Sequence, residues 1–268
     1  SSAQSFTENF DDITTLSASG WNMQNLSNPL GQTNWFQGNE LIFYSYNGDS
    51  TSYIGANFNN TGDNGTISNW LITPNRTFNN GDIISFYSRK VSPDNYPDRL
   101  QVRMSTNGAS TNVGSSATSV GDFTTVLLEI NPTLVTGVYP IVWTQYTIML
   151  SGLAGPTSGR IAFRYYVTDA GLFGNNSDYI GIDAFVYSAN CPMAVPVGAI
   201  TESEACSSNA NGGCNSAPPA YQNISCGTSV KGTSWYDGTN RDTDWYRFTV
   251  AAATTATITA SAEFMFQV

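Results

Sequence analysis

Asp183 is the residue that most needs a chemical explanation. It stands in the run Tyr179-Ile180-Gly181-Ile182-Asp183-Ala184-Phe185-Val186-Tyr187, an otherwise apolar strand pattern. An unpaired carboxylate in such surroundings is very costly, so it must be met by a cation or by hydrogen-bond donors. The only cationic residues near it in sequence are Arg160 and Arg164, whereas a second concentration of acids, Glu8, Asp11 and Asp12, precedes Gly20-Trp21 at the other end of the same region. Those acids read most simply as a solvated turn. Their oxygens are also the ligands that calcium takes, about six to eight at a time in loose geometry.

The second chemical feature is aromatic. Between residues 22 and 63, Trp35, Phe36, Phe43, Tyr44, Tyr46, Tyr53 and Phe58 are scattered among Asn and Gly. A ring that stacks on the apolar face of a pyranose, with amides beside it to bond the hydroxyls, is the chemistry of sugar binding. Trp35, Tyr44, Tyr46 and Tyr53 are the candidate ligand contacts. Aromatics in a β-protein are also the usual core residues, and the two readings stand side by side.

Catalytic machinery is hard to assemble from this chain. It has no histidine, which removes Ser-His-Asp and Cys-His arrangements and the common catalytic zinc sites. No phosphate-cradling glycine loop follows a strand, and no run of closely spaced acids suggests a glycosidase pair. The chain reads as a non-enzyme. Its four cysteines, Cys191, Cys206, Cys214 and Cys226, are clustered and even in number, which suggests two disulfides and an oxidising compartment. Cys206–Cys214 with Cys191–Cys226 is the pairing chosen from three; a four-thiolate zinc site is the competing idea, and the spacing lacks a Cys-x-x-Cys pair.

Composition agrees with an exterior location. Charged residues are 11% and the net charge is −10, with Lys90 and Lys231 the only lysines. Such a field repels polyphosphate, so a nucleic-acid partner is excluded on electrostatic grounds. No apolar run approaches the ~20 residues of a membrane helix. The opening Ser1-Ser2-Ala3-Gln4-Ser5 reads as a mature terminus left after leader cleavage.

These residues must be positioned by strands. Aromatics at 13% with 24 glycines and 11 prolines favour short strands and tight turns. Trp70-Leu71-Ile72 is a strand ended by Pro74, and Asn79-Asn80-Gly81-Asp82 turns the chain into Ile83-Ile84-Ser85-Phe86-Tyr87. Strands are expected over 41–46, 83–88, 100–105, 123–130 and 144–150, with 83–88 and 100–105 paired. In the loop between them Asp94 and Asp98 are candidate ligands, but Asp98-Arg99 and Lys90 read more simply as weak loop ion pairs. Residues 107–121 read as a mobile loop. Along 160–168, Ile161, Phe163, Tyr165 and Val167 form a core face, and Arg160, Ala162, Arg164 and Tyr166 a wet one.

The order of these pieces resembles the cleaved-adhesin or choice-of-anchor J domains, jelly-roll modules of secreted bacterial proteins that include the gingipain adhesin regions. The resemblance rests on Trp70-Leu71-Ile72-Thr73-Pro74, on the opening FTENFDDITTLSASGW (6–21), on RLQVRMSTNG (99–108) and on RIAFRYYVTDAGLFGNNSDYIGIDAFVY (160–187). It implies a jelly-roll β-sandwich over residues 1–190, at the bacterial cell surface, that binds a glycan or a host or matrix protein. A spacer module, or an accessory domain of a secreted peptidase, are the alternatives. In jelly rolls the first and last strands adjoin, so Asp183 is expected to share a structural calcium ion with Glu8 or Asp11. After a linker at 191–201, residues 202–268 resemble a bacterial pre-peptidase C-terminal domain, on the Gly232-Thr233 turn and on Asp242-Thr243-Asp244-Trp245-Tyr246-Arg247-Phe248. A second, smaller β-sandwich is expected there, with a Thr/Ala strand running to Ala260. The ending in mid-strand implies a longer native chain.

Overall fold

The computed structural model describes residues 5–190, 195–203, 212, 217–232 and 243–260. The chain divides into two compact units, Ser1–Asn190 and Cys191–Val268.

In the first unit thirteen strands follow in order: β1 (Phe6–Glu8), β2 (Asn22–Asn25), β3 (Asn28–Leu30), β4 (Phe36–Gln37), β5 (Ile54–Asn57), β6 (Thr61–Ile72), β7 (Arg76–Phe78), β8 (Ile83–Lys90), β9 (Leu100–Ser105), β10 (Thr125–Ile130), β11 (Thr144–Met149), β12 (Thr157–Ala170) and β13 (Tyr179–Ser188). They form two antiparallel sheets. One runs β11-β8-β13-β5-β4, with β1 also on β13; the other runs β10-β9-β12-β6-β2, with β3 on β6 and β7 on β12. The unit is an all-β sandwich, as expected of a jelly roll, and its first and last strands pair, with Glu8 opposite Phe185.

The core lies between the sheets and follows period-2 alternation. On β8, Ile84, Phe86, Ser88 and Lys90 are buried while Ile83 and Tyr87 point away. From the facing sheet come Ile161, Phe163, Tyr165 and Val167 of β12, all buried. The Phe86 and Phe163 rings meet edge-on at 4.9 Å. The expected pairing of 83–88 with 100–105 is therefore corrected. β8 and β9 belong to opposite sheets, and the loop between them crosses the sandwich. Two strong strand patterns adjacent in sequence are equally compatible with a hairpin and with an arch, and their side chains do not distinguish the two.

The far face of β12 is also not wet. Ala162 and Arg164 are buried there, with Trp70 and Ile72 of β6. They are covered by residues 107–123, whose Val113 and Phe123 complete a second, smaller apolar cluster. The segment read as a mobile loop is thus a lid over the sheet's outer side. It is pinned by the Arg164 guanidinium, which donates to the carbonyls of Ala117 and Ser119, to Ser68 Oγ and to Gln101 Oε1. The guanidinium also lies 3.7 Å from the Tyr166 ring centroid and 4.8 Å from that of Trp70. Burial pulls its pKa down to about 9, which leaves it charged at neutral pH.

In the second unit the described strands are two residues long: Ile200–Thr201 pairs with Val230–Lys231 and Gln222–Asn223 with Tyr246–Arg247, both in parallel. The Thr/Ala segment up to Ala260 is exposed and is not a strand. Its alternation pairs small side chains with one another and supplies no apolar face to bury. Among the described residues no helix is long and apolar enough to cross a membrane.

Candidate functional site

The expected strand over 41–46 is a set of turns instead, and its ring at Phe43 packs inward. Phe43 stacks on Tyr53 at 4.9 Å and Trp143 meets both edge-on, over Tyr179. This knot sits on β13 at Gly181, where a β-carbon would come within 2.9–3.0 Å of the Phe43, Trp143 and Tyr53 rings. Glycine is therefore required by close approach. The Arg89 guanidinium covers the Phe43 ring from 4.3 Å. Two of the four expected ligand contacts are corrected here. Tyr53 is fully buried, with its hydroxyl accepting from the Asn39 N–H, and Trp35 belongs to the main core. Neither offers a free ring face; local composition could not separate them from Tyr44 and Tyr46, because all four share the same Asn/Gly setting.

Tyr44 and Tyr46 are exposed, at 67% and 48%. Tyr46 lies flat on Tyr87, which projects outward from β8: the ring centroids are 3.5 Å apart, the planes differ by 14°, and the hydroxyls are joined at 2.8 Å. Tyr44 is held through its carbonyl by Trp143 Nε1–H at 2.8 Å. Gln145, directly opposite Tyr87 on β11, and Asn47 are exposed polar neighbours of the slab. Tyr87 is a site residue that the reading of loop aromatics missed, although its outward phase on β8 follows from the alternation that buries Ile84 and Phe86.

Asp183 is what holds this slab. A bulge between Asp183 and Val186 breaks the β13 register, with Ala184 in the left-handed region at φ 47°, so that Ile182 and Phe185 both face the core. Asp183 Oδ2 accepts from the N–H groups of Tyr46 at 2.8 Å and Asn47 at 3.0 Å, and Oδ1 from that of Ala184 at 2.5 Å. The fully buried carboxylate is thus met by backbone donors that fasten the Tyr46 turn to the sheet. Burial nevertheless pushes it up to about 6, and Asp11 adds to the rise.

The three expected calcium ligands converge only loosely. Burial and Asp11 both raise Glu8, whose Oε1 accepts from the Phe10 N–H at 2.9 Å. Asp11 therefore acts on both other acids, and among the described residues none of the three has an ion-pair partner. Even so, no group of three or more acidic, cysteine or histidine side chains among the described residues is close enough to hold a metal. Of the cysteines only Cys226 is described; it is exposed and its thiol is free, so the expected Cys191–Cys226 bridge is not formed in this structure; Cys191, Cys206 and Cys214 lie outside the described residues.

Together these features define a two-sheet β-sandwich module that presents an aromatic slab on the outer side of one sheet. The chain is similar in structure to the K1 cleaved adhesin domain of Lys-gingipain from Porphyromonas gingivalis, at 22% identity and a TM-score of 0.46, over 70% of this chain and 99% of that one. The K3 domain of the same protein gives 20% identity and 0.45, over 70% and 99%. A carbohydrate-binding module solved with β-1,4-galactotriose gives 9% identity and 0.35, over 68% and 99%. No family model and no curated protein matches the chain.

Proposed function

We propose that this chain is a non-catalytic binding module of the cell exterior and that it takes glycan on the Tyr46–Tyr87 slab. The observation that carries this reading is an exposed two-ring stack, fixed by a buried carboxylate and flanked by the amides of Asn47 and Gln145. Stacked rings present area at little entropic cost, and the neighbouring amides suit sugar hydroxyls. A glycan array should return a defined set of oligosaccharides. Tyr46→Ala should weaken binding about tenfold, the loss of roughly 1.4 kcal/mol of stacking, while Tyr46→Phe should keep most of it. Unchanged binding in Tyr46→Ala rejects the slab as the site. The exposed apolar side chains of Leu41, Ile42 and Val142 also suit a protein surface, and an array without hits beside capture of a matrix protein would assign the slab to that class.

Structural calcium belongs to the same reading, with Asp183 and one of Glu8 or Asp11 as candidate ligands beside backbone or amide oxygens of a neighbouring loop. It is supported by the repulsion that Asp11 exerts on the other two acids, which a divalent ion would remove. The pH dependence tests it. A carboxyl raised to about 6 on folding keeps its proton where the unfolded chain releases it. Its contribution to stability is therefore greatest below the ordinary carboxylate range and is lost as pH climbs from about 4 to 6. Asp178, also raised to about 6 by burial and by Asp98, adds to the same trend. In EDTA the melting temperature should accordingly fall across this window. Calcium at millimolar concentration should restore several degrees near neutral pH and little below about pH 4.5, where Asp183 holds its proton. Asp183→Ala should abolish the calcium response. Superimposable melts with and without calcium at neutral pH would remove the ion. The bridge Cys206–Cys214 is proposed with the exterior location.

A further inference from the structure

A buried charged cluster in the first unit plays no part in the aromatic face. Lys90 ends β8 on its inward side, and neither its side chain nor that of Asp98 reaches solvent, both being 0% exposed. The Lys90 Nζ lies 3.0 Å from Asp98 Oδ2 and is also paired with Asp94. Asp98 Oδ1 accepts from the Tyr165 hydroxyl and, at 2.9 Å, from the Asp178 N–H. Its Oδ2 has no other partner among the described residues. The buried rings of Tyr139 and Tyr165 help to close the site.

We propose that Lys90 and Asp98 condense spontaneously into an intramolecular isopeptide bond between Nζ and Cγ. An amine held against a carboxyl group inside a water-free site reacts as one molecule, with the entropy of approach already spent and hydrolysis suppressed. The ammonium first passes a proton to Asp98 Oδ2, giving a neutral amine and a neutral acid. The lone pair of Nζ attacks Cγ, and the negative charge gathers on Oδ1, where the Tyr165 O–H and Asp178 N–H already point. Asp94 takes a proton from the attacking nitrogen and returns it to Oδ2. The Cγ–Oδ2 bond breaks and Oδ2 leaves as water. Ammonium and carboxylate become amide and water, with no oxidant or co-reactant. Burial favours the neutral acid by raising Asp98; burial also lowers Lys90, but its two acidic neighbours more than offset this, so the amine becomes a nucleophile only once the proton has moved. Because β8 and β9 lie in opposite sheets, the bond closes the loop that carries the chain from one sheet to the other.

Denaturing mass spectrometry of the reduced full chain tests this directly. The expected mass is that of the sequence less one water, and trypsin should leave the Lys90-Val91 bond uncut within a cyclic fragment spanning 90–99. Asp98→Asn should give the same product mass as the parent, by loss of ammonia, whereas Lys90→Arg and Asp98→Ala should show full mass. Asp94→Ala should slow bond formation. The parent mass and peptide map carry the test, since bond formation in Asp98→Asn and Asp94→Ala requires the folded cluster; those two variants are read only where amide exchange shows the native fold. Full sequence mass in the parent chain, cleavage after Lys90, or a cross-link mapped to another residue overturns the proposal. None of these outcomes bears on glycan binding.

Discussion

Asp98→Ala is expected to cost about 3–5 kcal/mol of unfolding free energy, enough to remove much of the stability of a domain this size. The substitution leaves the Lys90 ammonium inside the sandwich with Asp94 as its remaining carboxylate partner, and leaves the Tyr165 hydroxyl and the Asp178 N–H without their acceptor. The cost is mostly that of stranded groups, so it depends little on how favourable the intact cluster is. This gives the prediction its internal control. Asp98→Ala combined with Lys90→Met removes both buried charges and should recover part of the loss, with a coupling energy of at least about 1 kcal/mol in urea unfolding. Additive losses would place Lys90 in water and refute the cluster. The expectation that Lys90 and Asp98 form weak loop ion pairs is corrected by the same geometry, since such pairs are worth little only where solvent screens them.

Arg164→Ala is expected to cost about 3 kcal/mol and, more tellingly, to free residues 107–123. One guanidinium donates to two carbonyls of that segment and to Ser68 and Gln101, while lying over the Trp70 and Tyr166 rings. Charge-assisted bonds of this kind contribute about 1.5–3 kcal/mol each in isolation, and the carbonyls left behind regain water only if the lid opens. Amide exchange across 107–123 should therefore accelerate far more than exchange in β8 or β13. Arg164→Lys, which keeps the charge and loses the planar fork, should recover only part of the protection. Uniform acceleration throughout the first unit would mean that the lid has no independent opening.

Much of the candidate site is legible in the residue pattern itself. The alternation of Ile161, Phe163, Tyr165 and Val167 specifies a core face on β12, because a strand presents every second side chain to the same side. The apolar setting of Asp183 marks it as a buried carboxylate with a structural duty, and the pairing of β1 with β13 agrees with the expected jelly-roll closure. The same alternation on β8 places Lys90 in phase with Ile84 and Phe86, so its burial is implicit in the pattern, although a lysine beside two aspartates reads more naturally as a surface loop.

What composition and periodicity determined here is the all-β class, the absence of histidine chemistry and the inward faces of the long strands, since these depend only on residue type and on the local geometry of an extended chain. Tertiary structure alone decided the rest. Whether residues 83–90 and 100–105 share a sheet or face each other depends on the path of the loop between them. Whether Trp35 and Tyr53 or Tyr44 and Tyr46 meet solvent depends on where the turns over 39–53 come to rest. Asp183 found its partners in the N–H groups of Tyr46 and Asn47, far away in sequence. Backbone donors carry no residue signature, so a carboxylate that they satisfy cannot be told in the sequence from one that awaits a cation.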